Sequence, residues 1–170
     1  MSPAPAITRW ATVVAEAPDL AVRTRAAFEA AHHATMATLR IDGAPRISGV
    51  EVTFTDDEVY VGCMPGSRKV ADLGRDGRIA LHSASPDPPD DDPTAWSGDA
   101  KVGGVVTPVH DPAERAVFAA AARVDVDPAS DFRLFRIAPS EVVAIRIGPS
   151  GDHLEIASWH PGRVDIYRRV

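Results

Sequence analysis

Residues 34–63 read ATMATLRIDGAPRISGVEVTFTDDEVYVGC, and two turn signals within this stretch separate three strand-like segments. The Asp-Gly pair at 42–43 is typical of a tight hairpin turn, and the Asp-Asp pair at 56–57 marks a second reversal. Apolar and polar residues alternate from Val50 to Phe54, as expected for a strand with one buried face. We therefore predict a three-stranded antiparallel meander, with strands over residues 34–41, 45–55 and 58–63.

The rest of the chain adds short strands and few helices. Many short strands with few helices favour a closed barrel or a strongly curved antiparallel sheet, because a parallel sheet needs regularly alternating helices. The proline- and aspartate-rich segment 85–97 is predicted to be a solvated loop within a single domain spanning residues 1–170. Helices are predicted over 20–33, 68–73 and 111–123, and further strands over 78–83, 99–109, 132–137, 142–147, 153–159 and 163–167.

Composition limits the possible partners and compartments. The formal net charge of −6 and the scarcity of aromatic residues (6%) disfavour a nucleic-acid-binding barrel, which needs a basic groove with stacking rings. The single cysteine, Cys63, excludes an internal disulfide and is compatible with a reducing compartment. No apolar run suits a signal peptide or a membrane span, so we expect a cytoplasmic protein without membrane or nucleic-acid partners.

The turn Gly66-Ser67-Arg68-Lys69 is the best candidate for an anion site. It leads from a predicted strand into a predicted helix, whose first backbone N–H groups lack partners and carry a partial positive charge. Ser67 adds a hydroxyl, whereas Arg68 and Lys69 add positive charges at the helix end that favours acids. A bound phosphate would relieve this conflict. A plain serine cap beside two solvated basic side chains explains the local pattern about equally well.

The preceding strands strengthen the phosphate interpretation. Arg46 and Ser48 share one strand face, and pairing of residues 45–55 with 58–63 would bring them close to the turn. Gly49 and Gly62 mark either a close approach of ligand to backbone or a bulge at a barrel corner.

Four segments together resemble the pyridoxamine 5'-phosphate oxidase-like family of flavin-binding split barrels. They are ATMATLRIDGAPRIS at 34–48, VYVGC at 59–63, GSRKVADL at 66–73 and GRIAL at 77–81. The resemblance implies a mainly β fold with helices, built on a six-stranded antiparallel split β-barrel. It also implies a homodimer with two cofactor sites at the subunit interface.

The resemblance assigns roles to individual residues. Arg46 and the backbone of Ile47, Ser48, Gly49 and Val50 would flank the cofactor; Val61, Gly62 and Cys63 would line its ring; Ser67, Arg68 and Lys69 would hold its phosphate; and Trp159 would reach the site from the partner subunit.

Two departures from the family pattern bear on the substrate. Pyridoxamine phosphate oxidases carry a lysine at the end of the second strand, where this chain has Glu51. They also carry an arginine–leucine–histidine run that grips the substrate, where this chain has Arg163-Val164-Asp165. The resemblance therefore implies an oxidoreductase that moves a hydride between FMN, or alternatively a deazaflavin (coenzyme F420), and a small substrate other than pyridoxamine phosphate. A non-catalytic flavin- or heme-binding storage or sensor protein is the alternative.

Other reactive side chains receive structural interpretations. His32 and His33 are adjacent in the predicted helix, so their rings should diverge, and we expect no metal site. Cys63 lacks a second cysteine nearby and is interpreted as a small strand residue rather than a nucleophile.

Overall fold

The computed structural model describes residues 8–124 and 131–170. The expectation about a signal peptide falls partly on residues 1–7, which lie outside these ranges. Four α-helices and nine β-strands occur in the described residues. They are α1 (Trp10–Glu16), α2 (Pro18–Glu29), β1 (Ala34–Leu39), β2 (Pro45–Val50), β3 (Val52–Phe54), β4 (Val59–Cys63), α3 (Arg68–Arg75), β5 (Arg78–His82), β6 (Asp99–Pro108), α4 (Pro112–Ala122), β7 (Arg133–Ile147), β8 (Leu154–His160) and β9 (Arg163–Arg169).

The strands form one antiparallel sheet around the core. Its order is β2-β1-β5-β6-β7-β4-β3, with β8 and β9 continuing outward from β7. Because β2 and β3 are separated only by Glu51, they are two parts of one bent strand, which brings the two ends of this order together. Six strand positions therefore surround the core as a barrel. The barrel is split where the bent strand changes its pairing partner from β1 to β4. This arrangement is the expected six-stranded split barrel.

The bent strand corrects the predicted meander. Residues 45–50 pair with β1 in the register Ala34↔Val50 to Leu39↔Pro45, whereas residues 52–54 pair with β4. The prediction that the segment containing Arg46 and Ser48 pairs directly with the third strand is therefore wrong. The side-chain alternation nevertheless continues through the bend, since Val50 and Phe54 are buried and Val52 packs against the core. The sequence pattern showed the buried face but not the change of partner.

Strand β7 replaces two predicted strands. It runs without interruption through Pro139, although proline cannot donate a ladder hydrogen bond. The register of the neighbouring β6 shifts between Gly103 and Gly104, directly opposite this proline. The bulge thus accommodates Pro139 within one continuous strand, where the sequence predicted two strands over 132–137 and 142–147.

The amino-terminal helices seal the core with aromatic contacts. Trp10 of α1 packs edge-to-face on Phe54, with ring centroids 4.9 Å apart, and Phe28 of α2 lies 5.7 Å from the same ring. Helix α2 begins with Pro18 at its first position, where a missing N–H costs nothing, and it ends at Glu29, before the predicted limit of 33. His32 and His33 are consequently not helical.

Helix α4 covers the outer side of β4 and β7. Asp111 caps it by accepting a hydrogen bond from the Glu114 N–H, at the start of the helix predicted over 111–123. The Tyr60 hydroxyl of β4 donates to Glu114 at 3.2 Å, and burial together with this carboxylate raises the pKa of Tyr60 to about 12. Phe118 completes a small apolar cluster with Tyr60, so α4 is held by both packing and a polar contact.

The segment 85–97 is largely exposed, as expected for a solvated loop, and contains a 3₁₀ turn at Pro93–Ala95. The Trp96 indole donates to the Pro86 carbonyl at 2.6 Å, so the loop closes on itself.

None of the helices in the described part of the chain combines the length and hydrophobicity needed to cross a bilayer.

Candidate functional site

A cleft of about 610 Å³ lies where the bent strand, the end of β4 and the first turn of α3 meet. Its volume is in the range of small-molecule and cofactor sites. The end of α4 and the start of β7 close its other side. We call it the candidate cleft. Its walls include Gly49, Val50, Glu51, Gly62, Lys69 and Phe132.

The turn before α3 has the geometry that the sequence predicts. Gly66 adopts a φ of +72°, a conformation that favours glycine, and the helix begins at Arg68 with Ser67 as its N-cap residue. The Ser67 side chain makes no capping hydrogen bond. Its Oγ is buried and has no hydrogen-bond partner among the described residues. A buried hydroxyl without a partner is costly. Ser67 is not itself in the wall of the candidate cleft but lies two residues before Lys69, which is.

The two basic residues of the first helical turn differ in placement. Lys69 lines the candidate cleft, and its ammonium donates to the Gly49 carbonyl at 3.2 Å. This contact confirms that the end of β2 lies close to the turn, although the bend rather than direct pairing brings them together. Arg68 is exposed, and α3 has no acidic residue in its first turn. The positive helix end is therefore not neutralised by an acid on its own first turn.

Arg46 lies behind the helix rather than in the cleft wall. Its Nε donates to Asp72 of α3 at 2.6 Å, and Asp72 also accepts from Thr38 at 2.9 Å and from Arg75 at 3.2 Å. The Arg46 hydrogen bond is the main reason that the pKa of Asp72 falls to about 2. Arg46 thus fastens α3 to the sheet. Its role as a direct cofactor ligand remains a prediction.

The other residues that the resemblance singled out are divided between the core and the surface. Val50, Val61 and Cys63 are buried, and burial raises the pKa of the Cys63 thiol. This environment supports the structural interpretation of Cys63, because the thiolate is disfavoured. Ser48 is half-buried on the inward face of β2, and Ile47 is 76% exposed on the outward face.

The structure does not bring Trp159 to the cleft. Its side chain is 0% exposed in the core of its own chain, and its indole N–H donates to Glu16 at 2.8 Å. The expected role of Trp159 at the partner subunit's site remains a prediction. The neighbouring His160 lies 3.6 Å from Glu141 instead.

Gly62 has a specific neighbour. A Cβ at this position would overlap the ring of Phe132, which packs against the glycine from the start of β7. The close approach expected at Gly62 is therefore made by a side chain of this chain. Gly49, in contrast, has open space where its Cβ would be. The β-bulge lies elsewhere, at Gly103/Gly104.

A second cleft of about 760 Å³ adjoins the first between α3, α4 and β7. Gly66 and Arg115 contribute to its walls, and it shares Val124, Asp131 and Phe132 with the candidate cleft. The start of α3 thus lies between two concave surfaces. We place the site in the first cleft because that cleft contains Lys69, Gly49 and Gly62 together.

Sequence reasoning missed several cleft residues. Phe132 and Asp131 arrive from a distant part of the chain, and only the missing side chain of Gly62 hinted that a ring packs there. His33 and Glu51 also line the cleft. The argument that His32 and His33 diverge fails, because both residues lie in the turn between α2 and β1, with ring centroids 4.8 Å apart.

Comparison with known proteins defines the class to which this chain belongs. A family model for pyridoxamine 5'-phosphate oxidase matches residues 21–146. The chain therefore belongs to the pyridoxamine 5'-phosphate oxidase family, which agrees with its split-barrel architecture. Comparison with curated proteins finds no significant match.

Solved structures share the fold at low sequence identity. A pyridoxamine 5'-phosphate oxidase-related, FMN-binding protein from Nostoc punctiforme aligns with a TM-score of 0.60 and 13% identity over 100% of both chains. An F420 reductase aligns with a TM-score of 0.50 and 16% identity, over 70% of this chain and 94% of that one. A heme-binding protein from Mycobacterium smegmatis aligns with a TM-score of 0.54 and 20% identity, over 97% of this chain and 59% of that one. At these identities the similarity shows the fold.

Proposed function

We propose that this chain is an oxidoreductase that transfers a hydride between a bound flavin-type cofactor and a small organic substrate. FMN is the proposed cofactor, and a deazaflavin (coenzyme F420) is the alternative. The buried, unpartnered Ser67 Oγ at the start of α3 carries the proposal, because a phosphate oxygen is the acceptor that this hydroxyl lacks. The family membership and the FMN-binding and F420 reductase relatives of the same fold support it.

The charges around the turn fit a phosphate. Arg68 and Lys69 add to the partial positive charge of the helix end, and the chain as a whole carries a net charge of −6. The positive potential is therefore local rather than general. A phosphate bound here would accept from Ser67, from the first backbone N–H groups of α3 and from the two basic side chains.

When bound, the cofactor would supply the hydride chemistry, and the protein would supply orientation and shelter. Gly49 presents backbone without a side chain to the cleft, and Phe132, which packs on Gly62, forms an apolar wall. Lys69 places a positive charge beside Gly49 through its contact with the Gly49 carbonyl. These groups position a flat, anionic ligand without requiring a protein acid or base.

The substrate is proposed to be something other than pyridoxamine phosphate. Glu51 places a carboxylate in the cleft wall, which repels an anionic substrate. Arg163, in the segment that would supply the family's substrate grip, is paired with Asp165 at 2.8 Å. Neutral acceptors such as quinones or enones fit this charge distribution better.

We further propose that the chain acts as a homodimer in the cytoplasm. Met64 (72% exposed) lines the candidate cleft, and Ile47 (76% exposed) lies on β2 two residues before Gly49 of the cleft wall. Exposed apolar side chains beside a ligand site are typical of surfaces that a partner covers. The free, buried Cys63 is compatible with a reducing compartment.

A storage or sensor role for flavin or heme is the second candidate. The heme-binding relative of the same fold aligns with 97% of this chain. Turnover separates the two functions. If reduced cofactor bound to the protein is reoxidised catalytically by any member of a panel of quinones, enones and tetrapyrroles, the storage role is excluded.

The binding test compares FMN, coenzyme F420 and heme by fluorescence or absorbance titration of the purified chain. The double variant Arg68→Ala/Lys69→Ala removes two charge-assisted phosphate contacts, each worth about 1.5–3 kcal/mol. Cofactor affinity should fall by roughly tenfold or more, with the fold unchanged. The control Arg78→Ala/Lys101→Ala removes the same charge from exposed strand positions and should retain affinity. Equal affinity in both double variants would show that the phosphate binds elsewhere.

A further inference from the structure

His32, His33 and Glu51 converge at one end of the first hairpin. The two histidines precede β1, and Glu51 follows β2. Because Ala34 is paired with Val50, the residues just outside this pair, His33 and Glu51, are neighbours across the hairpin end. The turn after α2 then brings His32 to the same carboxylate. The arrangement is therefore a consequence of strand register and not of a single flexible side chain.

The three potential ligand atoms lie close together. The His32 Nε2 is 3.0 Å from the Glu51 Oε1, the His33 Nε2 is 3.9 Å from the same oxygen, and all three atoms lie within 4.8 Å of one another. In a tetrahedral zinc site, with metal–ligand distances of about 2.0–2.1 Å, neighbouring ligand atoms are about 3.3 Å apart. Small side-chain rotations therefore suffice to place a metal ion between them.

An ordinary hydrogen bond or ion pair accounts for the 3.0 Å contact of His32 with Glu51, but not for the position of His33. The 3.9 Å separation between the His33 Nε2 and Glu51 is too long for a hydrogen bond, so the carboxylate satisfies at most one ring. The side chains are 74%, 69% and 55% exposed for His32, His33 and Glu51, which leaves them free to adjust and open to an entering ion.

We propose that His32, His33 and Glu51 form a binding site for a divalent metal ion of the Zn²⁺ class at the rim of the candidate cleft. Two imidazoles and one carboxylate suit Zn²⁺ and its transition-metal neighbours, whereas Mg²⁺ and Ca²⁺ prefer all-oxygen sites. Three protein ligands leave a fourth position open, the pattern of zinc sites that hold water or a ligand rather than closed structural sites. Since His33 and Glu51 line the cleft, this open position is next to whatever the cleft binds.

The proposal is independent of the cofactor and of the oxidoreductase function, because the test uses the metal alone. Tag-free protein is freed of metal with a chelator, which is then removed, and ZnCl₂ is titrated in by calorimetry. We expect saturable uptake of one ion per chain. Substitution with CoCl₂ should give the visible absorption of a site of low coordination number, which unspecific surface binding does not give.

The variants His32→Ala, His33→Ala and Glu51→Gln should each weaken Zn²⁺ binding by at least tenfold, since even partners of zinc ligands lower affinity by about 10–100-fold when removed. His110→Ala removes an exposed histidine elsewhere and should bind like the unaltered chain. All four positions are exposed, and circular dichroism verifies that each variant folds. Absence of saturable uptake by the unaltered chain overturns the proposal, as does undiminished affinity in any of the three ligand variants.

Discussion

The Ser67 side chain is buried without a hydrogen-bond partner among the described residues, and this costs the free chain stability. Its hydroxyl is buried at the start of α3 without capping the helix or meeting another partner among the described residues. An unpartnered buried donor lowers stability by about 1–3 kcal/mol relative to a satisfied one. The position is therefore better suited to a complex than to the free chain.

We predict that Ser67→Ala leaves thermal stability unchanged or slightly higher, because the free chain loses no hydrogen bond. FMN affinity should fall by roughly tenfold, the equivalent of about 1.4 kcal/mol for one lost contact to a charged oxygen. Differential scanning fluorimetry and FMN titration measure the two effects on the same samples. The control variant Ser85→Ala, on the exposed loop, should leave FMN affinity unchanged. A loss of stability without loss of affinity would assign Ser67 to the fold alone.

Asp72 predicts a pH dependence. Its pKa is lowered from the ordinary 3.8 to about 2, mainly by the hydrogen bond from Arg46, so the charged form is favoured in the folded chain. The stabilisation is complete above about pH 4 and is lost as the pH falls through 2. Asp72→Asn should lower the melting temperature at pH 7, and its difference from the unaltered chain should shrink between pH 4 and 2. Asp87→Asn, in the exposed loop, is the control. A difference that is independent of pH would contradict this account.

Single residues were predictable from sequence where local chemistry determines them. The role of Gly66 and the helix start at Arg68 follow from turn and capping preferences, and the structure has both. The partnership of Arg46 with Asp72 was not predictable, because 26 residues separate them and the sequence pattern does not specify which acid an arginine meets. The same applies to Trp159, whose contact with Glu16 spans 143 residues.

At the level of elements, β4 and the start of β7 depend on Gly62. The ring of Phe132 occupies the space that a side chain at position 62 would need. Gly62→Ala should displace this ring and lower the free energy of unfolding by about 1–3 kcal/mol, the usual range for overpacking. Gly49→Ala adds the same methyl group where no atom lies within 4 Å, and its effect should stay within about 0.5 kcal/mol.

Urea denaturation of the two alanine variants measures both values. Equal stability of the two would show that Phe132 moves without penalty. Retained FMN affinity in Gly62→Ala would further show that Phe132 is not part of the cofactor wall.

Most helices and strands were predictable because their periodicities and caps are local. The early end of α2 at Glu29 was not predictable, since alanine-rich sequence continues past this residue without a stop signal. Nor could sequence reveal that residues 45–55 form two ladders. Strand alternation reports which face is buried, and it is the same whichever strand lies alongside. Tertiary packing decided the pairing.

At the scale of the whole molecule, we expect a dimer. The surface near the cleft contains exposed Ile47 and Met64, and light scattering after size exclusion should give twice the chain mass of 18.1 kDa. Ile47→Asp should shift the chain towards monomer, because it puts a charge into an apolar contact. Val22→Asp, at an equally exposed position on α2, should not. A monomeric unaltered chain at micromolar concentration would refute the dimer.

The bend at Glu51 makes the number of residues between the two ladders critical for the sheet. Inward-facing positions are in phase on both sides of it, from Val50 to Phe54, while one side pairs with β1 and the other with β4. Exchanging the exposed glutamate for another residue leaves this phase intact. Inserting or deleting a single residue would turn the buried side chains of one half towards solvent, and the sheet could not compensate on both sides at once. Homologous barrels built on this scheme should therefore keep the spacing between the two ladders, whichever residue type stands at the bend.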